Sequence, residues 1–271
     1  MKRCRKRPGP SRSSDIRPAV IAIALIAVAV SGCGKNTGLD PDEYIKLGQY
    51  KGLSVEKGSY TVTEEAMQDE LDMLANAYAD ADGTVPDLTD DFIKEISEER
   101  YKNMDEYKAA LRDQMKSEYD EFYELQYCED IWNLAVDNAE VIKDFPPEYL
   151  QKKTERSIIS ARRYAQSLNM PFEDFVDQKM GMTVDEFNRE AIEYAKVAAK
   201  ESMVLAAIAE AEGITVSDEE IEKAIKEYVD LGAYESEEAF RKEGPERREE
   251  LREYILTSKV QDFLVENADR D

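Results

Sequence analysis

Beyond Thr63, apolar side chains recur three and four positions apart through nearly the whole chain, the period of a helix with one buried face. Thr63 can cap a helix in which Met67, Leu71, Leu74 and Tyr78 form the stripe, ending at Asp82-Gly83. Thr89 caps a short helix with Phe92 and Ile96. From about Asp105 to Ala139 a long helix carries Tyr107, Leu111, Met115, Phe122, Leu125, Trp132 and Ala135 with no interior Pro or Gly; some 35 residues span roughly 50 Å. Phe145-Pro146-Pro147 stops it, and Pro147 suits the first turn of a helix reaching Leu168. Residues 169–182 make a short helix dense in Met and Phe. Thr183 caps another long helix bearing Phe187, Ile192, Ala195, Ala198, Ala199, Met203, Ala206 and Ala209, closed by Gly213. Ser217-Asp218-Glu219-Glu220 is a capping box for a helix to Leu231. A small helix near Glu235–Lys242 breaks at Gly244-Pro245, and the last helix carries Leu251, Ile255, Val260, Phe263 and Leu264. The predicted class is all-α, with two helical hairpins turning at Met170–Met182 and Tyr234–Pro245.

The first sixty residues differ. Lys2, Arg3, Arg5, Lys6, Arg7, Arg12 and Arg17 precede an unbroken apolar run from Ala19 to Val30, then Val30-Ser31-Gly32-Cys33. A charged region, a short apolar run and small residues are a secretory signal. The run is too short for the roughly 20 residues of a permanent span, although an uncleaved anchor is the alternative. The terminal cysteine resembles that of a lipobox, which implies cleavage before Cys33 and lipid on that residue. Residues 33–44 read as a flexible tether, and Ile45–Thr63 as extended chain with at most one or two short strands.

Charge narrows the partners. Formal net charge is −24, and removing the leader's seven basic residues and one acid takes it to −30. Such a surface repels phosphates, so no nucleic-acid partner is expected. Apolar residues at 42% still suffice for a core. With Cys4 lost in the leader and Cys33 lipidated, the mature chain is expected to hold no intramolecular disulfide, and Cys128 reads as a small buried hydrophobe.

Most catalytic chemistry is excluded. The chain has no histidine, hence no Ser-His-Asp relay and no histidine metal ligand. No Gly-rich phosphate loop occurs. Asp80-Ala81-Asp82-Gly83 is the nearest approach to a calcium loop, but that register puts Tyr78 first and Thr89 twelfth, where carboxylates are needed. Acid pairs such as Asp90-Asp91 and Glu219-Glu220 read as solvated helix faces. No metal, cofactor or catalytic residue is expected.

The order of certain segments resembles the trigger factor family of bacterial chaperones. Gly48-Gln-Tyr-Lys-Gly-Leu-Ser-Val55 and Val62-Thr-Glu-Glu are similar to its linker into an isomerase domain. Pro86-Asp-Leu-Thr-Asp-Asp-Phe-Ile93 with Met104-Asp-Glu-Tyr-Lys-Ala-Ala-Leu-Arg112 resembles the start of its chaperone domain, and Phe145-Pro-Pro-Glu-Tyr-Leu150 and Ile214-Thr-Val-Ser-Asp-Glu-Glu-Ile221 resemble two later helix openings. Only about ten residues separate Ala75 from Pro86, where the family places its FKBP-type domain, and the Gly-Phe-Arg-x-Gly-Lys ribosome-docking loop has no counterpart.

The resemblance implies an elongated chaperone body with two helical arms over residues 83–271, preceded by a signal (1–32), the tether (33–44) and an extended segment with a linker helix (45–82). It implies an ATP-independent holder of unfolded or secreted polypeptides, anchored outside the cytoplasmic membrane by lipid on Cys33 and without ribosome docking. Client contacts are expected at the arm tips, from Met170, Phe172, Phe175, Met180 and Met182 on the first and Tyr234 and Phe240 on the second. In the alternative, these residues only pack the turns. A peptidyl-prolyl isomerase, or a helical spacer or partner-binding lipoprotein, are the competing functions.

Overall fold

In the computed structural model the described residues are 39–269. The expected leader, Cys33 and most of the expected tether lie outside them. The chain divides into two units, a smaller one of Val55–Glu129 and a larger one of the remainder.

In the smaller unit Thr63 Oγ1 accepts from Ala66 N and opens α2 (Glu64–Ala77), and Thr89 opens α3 (Asp90–Ile96) in the same way. These follow α1, a short helix at Pro41–Tyr44. The first turns of α4 (Met104–Asn138) complete the unit, whose core is Met67, Leu71 and Met115, with Val62, Tyr107 and Leu111 packed around them. Tyr60, on the extended stretch before α2, stacks on Tyr119 of α4 at 3.7 Å. A side chain at Gly58 would collide with the Tyr123 ring, so this close approach needs glycine.

The larger unit is built on α7 (Val184–Glu212). Its last turns, Ser202–Ala209, are buried on every side, and small residues at Ala198, Ala199, Ala206 and Ala207 let neighbours come close. Against α7 pack α5 (Pro147–Ser167) and α10 (Pro245–Glu266), together with α1 and β1 (Ile45–Lys46). The hairpin of α5 and α7 is bridged by α6 (Phe172–Met180); that of α8 (Asp218–Asp230) and α10 is bridged by α9 (Glu237–Arg241). Ser217 and Thr183 each form a capping box, and Gly213 closes α7 in the left-handed region at φ 64°. Arg248 and Arg252 on α10 both reach Asp218 in the first turn of α8, at 3.1 and 3.0 Å.

One expectation is corrected. The end of the tether is ordered: Asp40 caps α1, and Pro41 and Tyr44 are buried, because Tyr44 stacks on Phe145 and its neighbour Ile45 enters a strand. That strand pairs antiparallel with β2 (Glu140–Val141), Ile45 opposite Val141, a partner too short to show periodicity. Cys128 is buried at 3% exposure, as expected of a small hydrophobe. The stretch after β1 is fixed at both ends of its course. Asn138 Nδ2 donates to Gln49 O at 2.9 Å, Gly52 N to Asn267 O at 2.7 Å, and Asp269 N to Leu53 O at 2.9 Å, which supplies partners at the ends of α4 and α10.

Candidate client-binding surface and buried polar cluster

At the first arm tip, α6 is nine residues long and lies across the open end of the α5–α7 hairpin. So short a helix is held only by burying one face. Phe172, Phe175 and Val176 therefore turn inward onto Ala165 of α5 and Phe187 of α7. Phe172 meets Phe187 edge to face at 5.4 Å, Tyr164 meets Phe175 at 5.6 Å, and the Arg162 guanidinium lies 4.7 Å from the Phe172 ring. Met170, Met180 and Met182 are partly buried around this cluster.

The second tip repeats the arrangement. Phe240 on α9 is 1% exposed among Ile221, Ala224, Ile225, Leu251 and Ile255. Tyr234 is partly buried, 5.1 Å from the Phe240 ring, its hydroxyl donating to Glu243 and accepting from Arg247. Phe172, Phe175 and Phe240 thus pack the turns instead of facing solvent, and only the methionines and Tyr234 retain partial access.

Several of the large apolar side chains that face solvent lie along the arms. Ile159, Tyr164 and Leu168 on or just after α5, Ile192 and Val197 on α7, and Leu231 and Tyr254 on the second arm are exposed. Sequence periodicity assigned Ile192 to the buried stripe. The stripe runs through Phe187, Ala191, Ala195, Ala198 and Ala199, and Ile192 and Val197, at 51% exposure each, fall beside it. The mostly alanine stripe was the available signal, since large residues off such a stripe are left outside.

Sequence reading missed a polar cluster where α5, α7 and α10 meet. Lys153 and Glu253 are each 5% exposed, and Ser202 is fully buried. Lys153 Nζ donates to Ser202 Oγ at 2.6 Å, and Ser202 Oγ donates to the Ala198 carbonyl at 2.8 Å. Arg156 approaches Glu250 at 3.7 Å and Glu253 at 4.0 Å. Burial pushes the Glu253 carboxyl up to about 7 against the opposing pull of Arg156 and Lys153, and it pushes the Lys153 amine down to about 8 against the pull of Glu253. Glu201 on α7 is raised for the same reason. Burial also drives the Tyr149 phenol up to about 12; Ser202, which opposes that shift, is already engaged with Lys153 and Ala198, and the phenol oxygen has no hydrogen-bond partner. Enclosed among three helices, these groups act on packing energetics.

Among the described residues no cluster of metal-ligating side chains is found, and no helix is long and apolar enough to cross a membrane.

Comparison with known proteins follows the same helices. Residues 103–266 match the family described as bacterial trigger factor protein (TF) C-terminus. The trigger factor of Caldicellulosiruptor saccharolyticus is 27% identical over 184 residues, 68% of this chain and 41% of that protein. That of Halothermothrix orenii is 30% identical over 189 residues, 69% of this chain and 42% of that protein. The chain spans about two fifths of the length of the curated relatives it matches. A solved structure concerning promiscuous substrate recognition by the trigger factor chaperone aligns with a TM-score of 0.47 at 17% identity, covering 82% of this chain and 72% of that one. Since the family match takes in more than half of its residues, from the start of α4 to the end of α10, the chain belongs to the trigger factor C-terminus family.

Proposed function

We propose that the chain is an ATP-independent chaperone that holds unfolded polypeptides outside the cytoplasmic membrane, tethered by lipid on Cys33. The family match over residues 103–266 carries the chaperone part of this reading. The Val30-Ser31-Gly32-Cys33 string after the apolar run supports the tether. Client contact falls to the exposed Ile159, Leu168, Ile192 and Val197 along the first arm and to the partly buried methionines at its tip. Each buried apolar contact contributes at roughly 25 cal/mol per Å², so several weak contacts hold a client without a nucleotide-driven release step. The acidic chain favours neutral or basic client segments.

The test is aggregation of an unrelated, chemically denatured enzyme diluted into buffer with the purified chain and no ATP. Light scattering is expected to fall as the chain is added. Unchanged scattering at molar excess, alongside a single tightly bound envelope protein, would replace this reading with that of a spacer or partner-binding lipoprotein.

A further inference from the structure

The chain enters the larger unit at one corner. Leu39 and Asp40 lead into α1, and Tyr44 and Ile45 carry the chain into β1. β1 packs on α7, and β2 is the outer strand of a two-stranded sheet. Ile45 lies opposite Val141, and Ile142 N donates to Tyr44 O at 2.8 Å. Lys143 continues the pairing, its ammonium 2.8 Å from Glu43 and 4.7 Å from the centre of the Tyr44 ring. Residues 141–143 therefore run beside the single helical turn by which the chain enters. Val141 is 40% exposed there and Ile142 50%. Two β-branched apolar side chains on an outer strand leave an apolar edge uncovered.

Length decides what covers it. Six residue steps separate Cys33 from Leu39, and even fully extended they reach no more than about 21 Å. α1 adds one turn, about 6 Å. Lipid on Cys33 would hold this corner close to the bilayer that carries the lipid, at an effective concentration that favours the membrane over any free partner.

We propose that the Val141–Ile142 edge is a membrane contact, seated in the headgroup layer beside the anchor; the inference rests on the lipid tether proposed above. The exposed charges in the two paired segments are Asp42, Glu43, Glu140 and Asp144 against Lys46 and Lys143. The contact is therefore apolar and needs no anionic lipid. α5 starts from the same corner, since Phe145 stacks on Tyr44 and lies 6.1 Å from Tyr149. Its 21 residues run about 31 Å to the first arm tip. The base of the first arm thus rests at the membrane and its tip stands off by up to that length.

The test uses the full chain lipidated in cells, reconstituted into phosphatidylcholine vesicles containing a phosphatidylcholine with a photoactivatable group near the headgroup. After illumination, labelled peptides are located by mass spectrometry. Label is expected on residues 140–145 and not around Leu168 or Ile192. Val141→Ser with Ile142→Ser, both at exposed positions, should lower label at the edge on the order of tenfold while lipid stays on Cys33. If that variant does not fold, the wild-type label map carries the test. Label concentrated at Leu168 and Ile192, or spread evenly over the exposed apolar sites, overturns the proposal and leaves the tether intact. So does an unlabelled edge that is protected from hydrogen exchange only at high chain concentration or with denatured enzyme added, which would assign it to a second copy or to a client. Intact mass without lipid on Cys33 removes the tether and the proposal with it.

Discussion

Truncation of Phe240 to alanine tests most directly whether the arm tips are core or recognition surface. The ring is 1% exposed, so alanine removes a fully buried side chain from a cage of five buried apolar residues. Buried Phe→Ala changes cost about 3 to 5 kcal/mol, and the edge-to-face contact with Tyr234 accounts for roughly 0.5 to 1.5 of it. By contrast, Ile192→Ser and Val197→Ser alter side chains half exposed on α7 and should stay within about 0.5 kcal/mol. A urea melt followed through Trp132, the chain's single tryptophan, reports the unit containing both arms. The expected pattern is a large loss of midpoint for Phe240→Ala with holding per folded molecule unchanged, and an unchanged midpoint with weaker holding for the α7 pair. A Phe240→Ala protein with a wild-type midpoint but impaired holding would refute the packing argument and restore the tip as the contact surface.

Three further outcomes are expected. Radiolabelled palmitate should enter wild type in cells and not Cys33→Ser; label in both, or in neither, removes the lipid tether. The purified chain should leave a proline-limited refolding phase, tens of seconds or longer when uncatalysed, at its spontaneous rate; acceleration at micromolar protein would establish the isomerase reading. Tyr149→Phe deletes a buried hydroxyl that has no hydrogen-bond partner, so stability should be unchanged or higher by up to about 1 kcal/mol, and a loss of more than that shows the phenol is bonded in solution.

What could be read from the sequence was what neighbouring residues decide. Thr63, Thr89, Thr183 and Ser217 cap helices because each cap involves atoms only two or three residues away, and all four do so. The hairpin turns were visible for the same reason. Facts that depend on a distant partner were not visible: the pairing of Ile45 with Val141 joins residues nearly a hundred positions apart, and neither two-residue strand has a period. The arm tips show how periodicity misleads in short elements. Met and Phe clustered between Met170 and Met182 look like an exposed patch until α6 is seen folded onto Phe187, which consumes the phenylalanines and leaves the methionines at the edge.

The Lys153 cluster is the sharper case. Tyr149 and Lys153 sit four residues apart on α5, a spacing that puts them on one face, yet a lysine at such a position ordinarily reads as a solvated flank. Its burial follows only from what α7 and α10 bring: Ser202 in the most enclosed turns of α7, and Glu253 on the face of α10 that also carries Glu249, Glu250 and Leu256. Apolar side chains at Lys153 and Glu253 together would satisfy the packing at least as well, since replacing a whole buried ion pair by well-packed hydrophobic residues is often neutral or stabilising, whereas replacing either one alone would strand the other's charge.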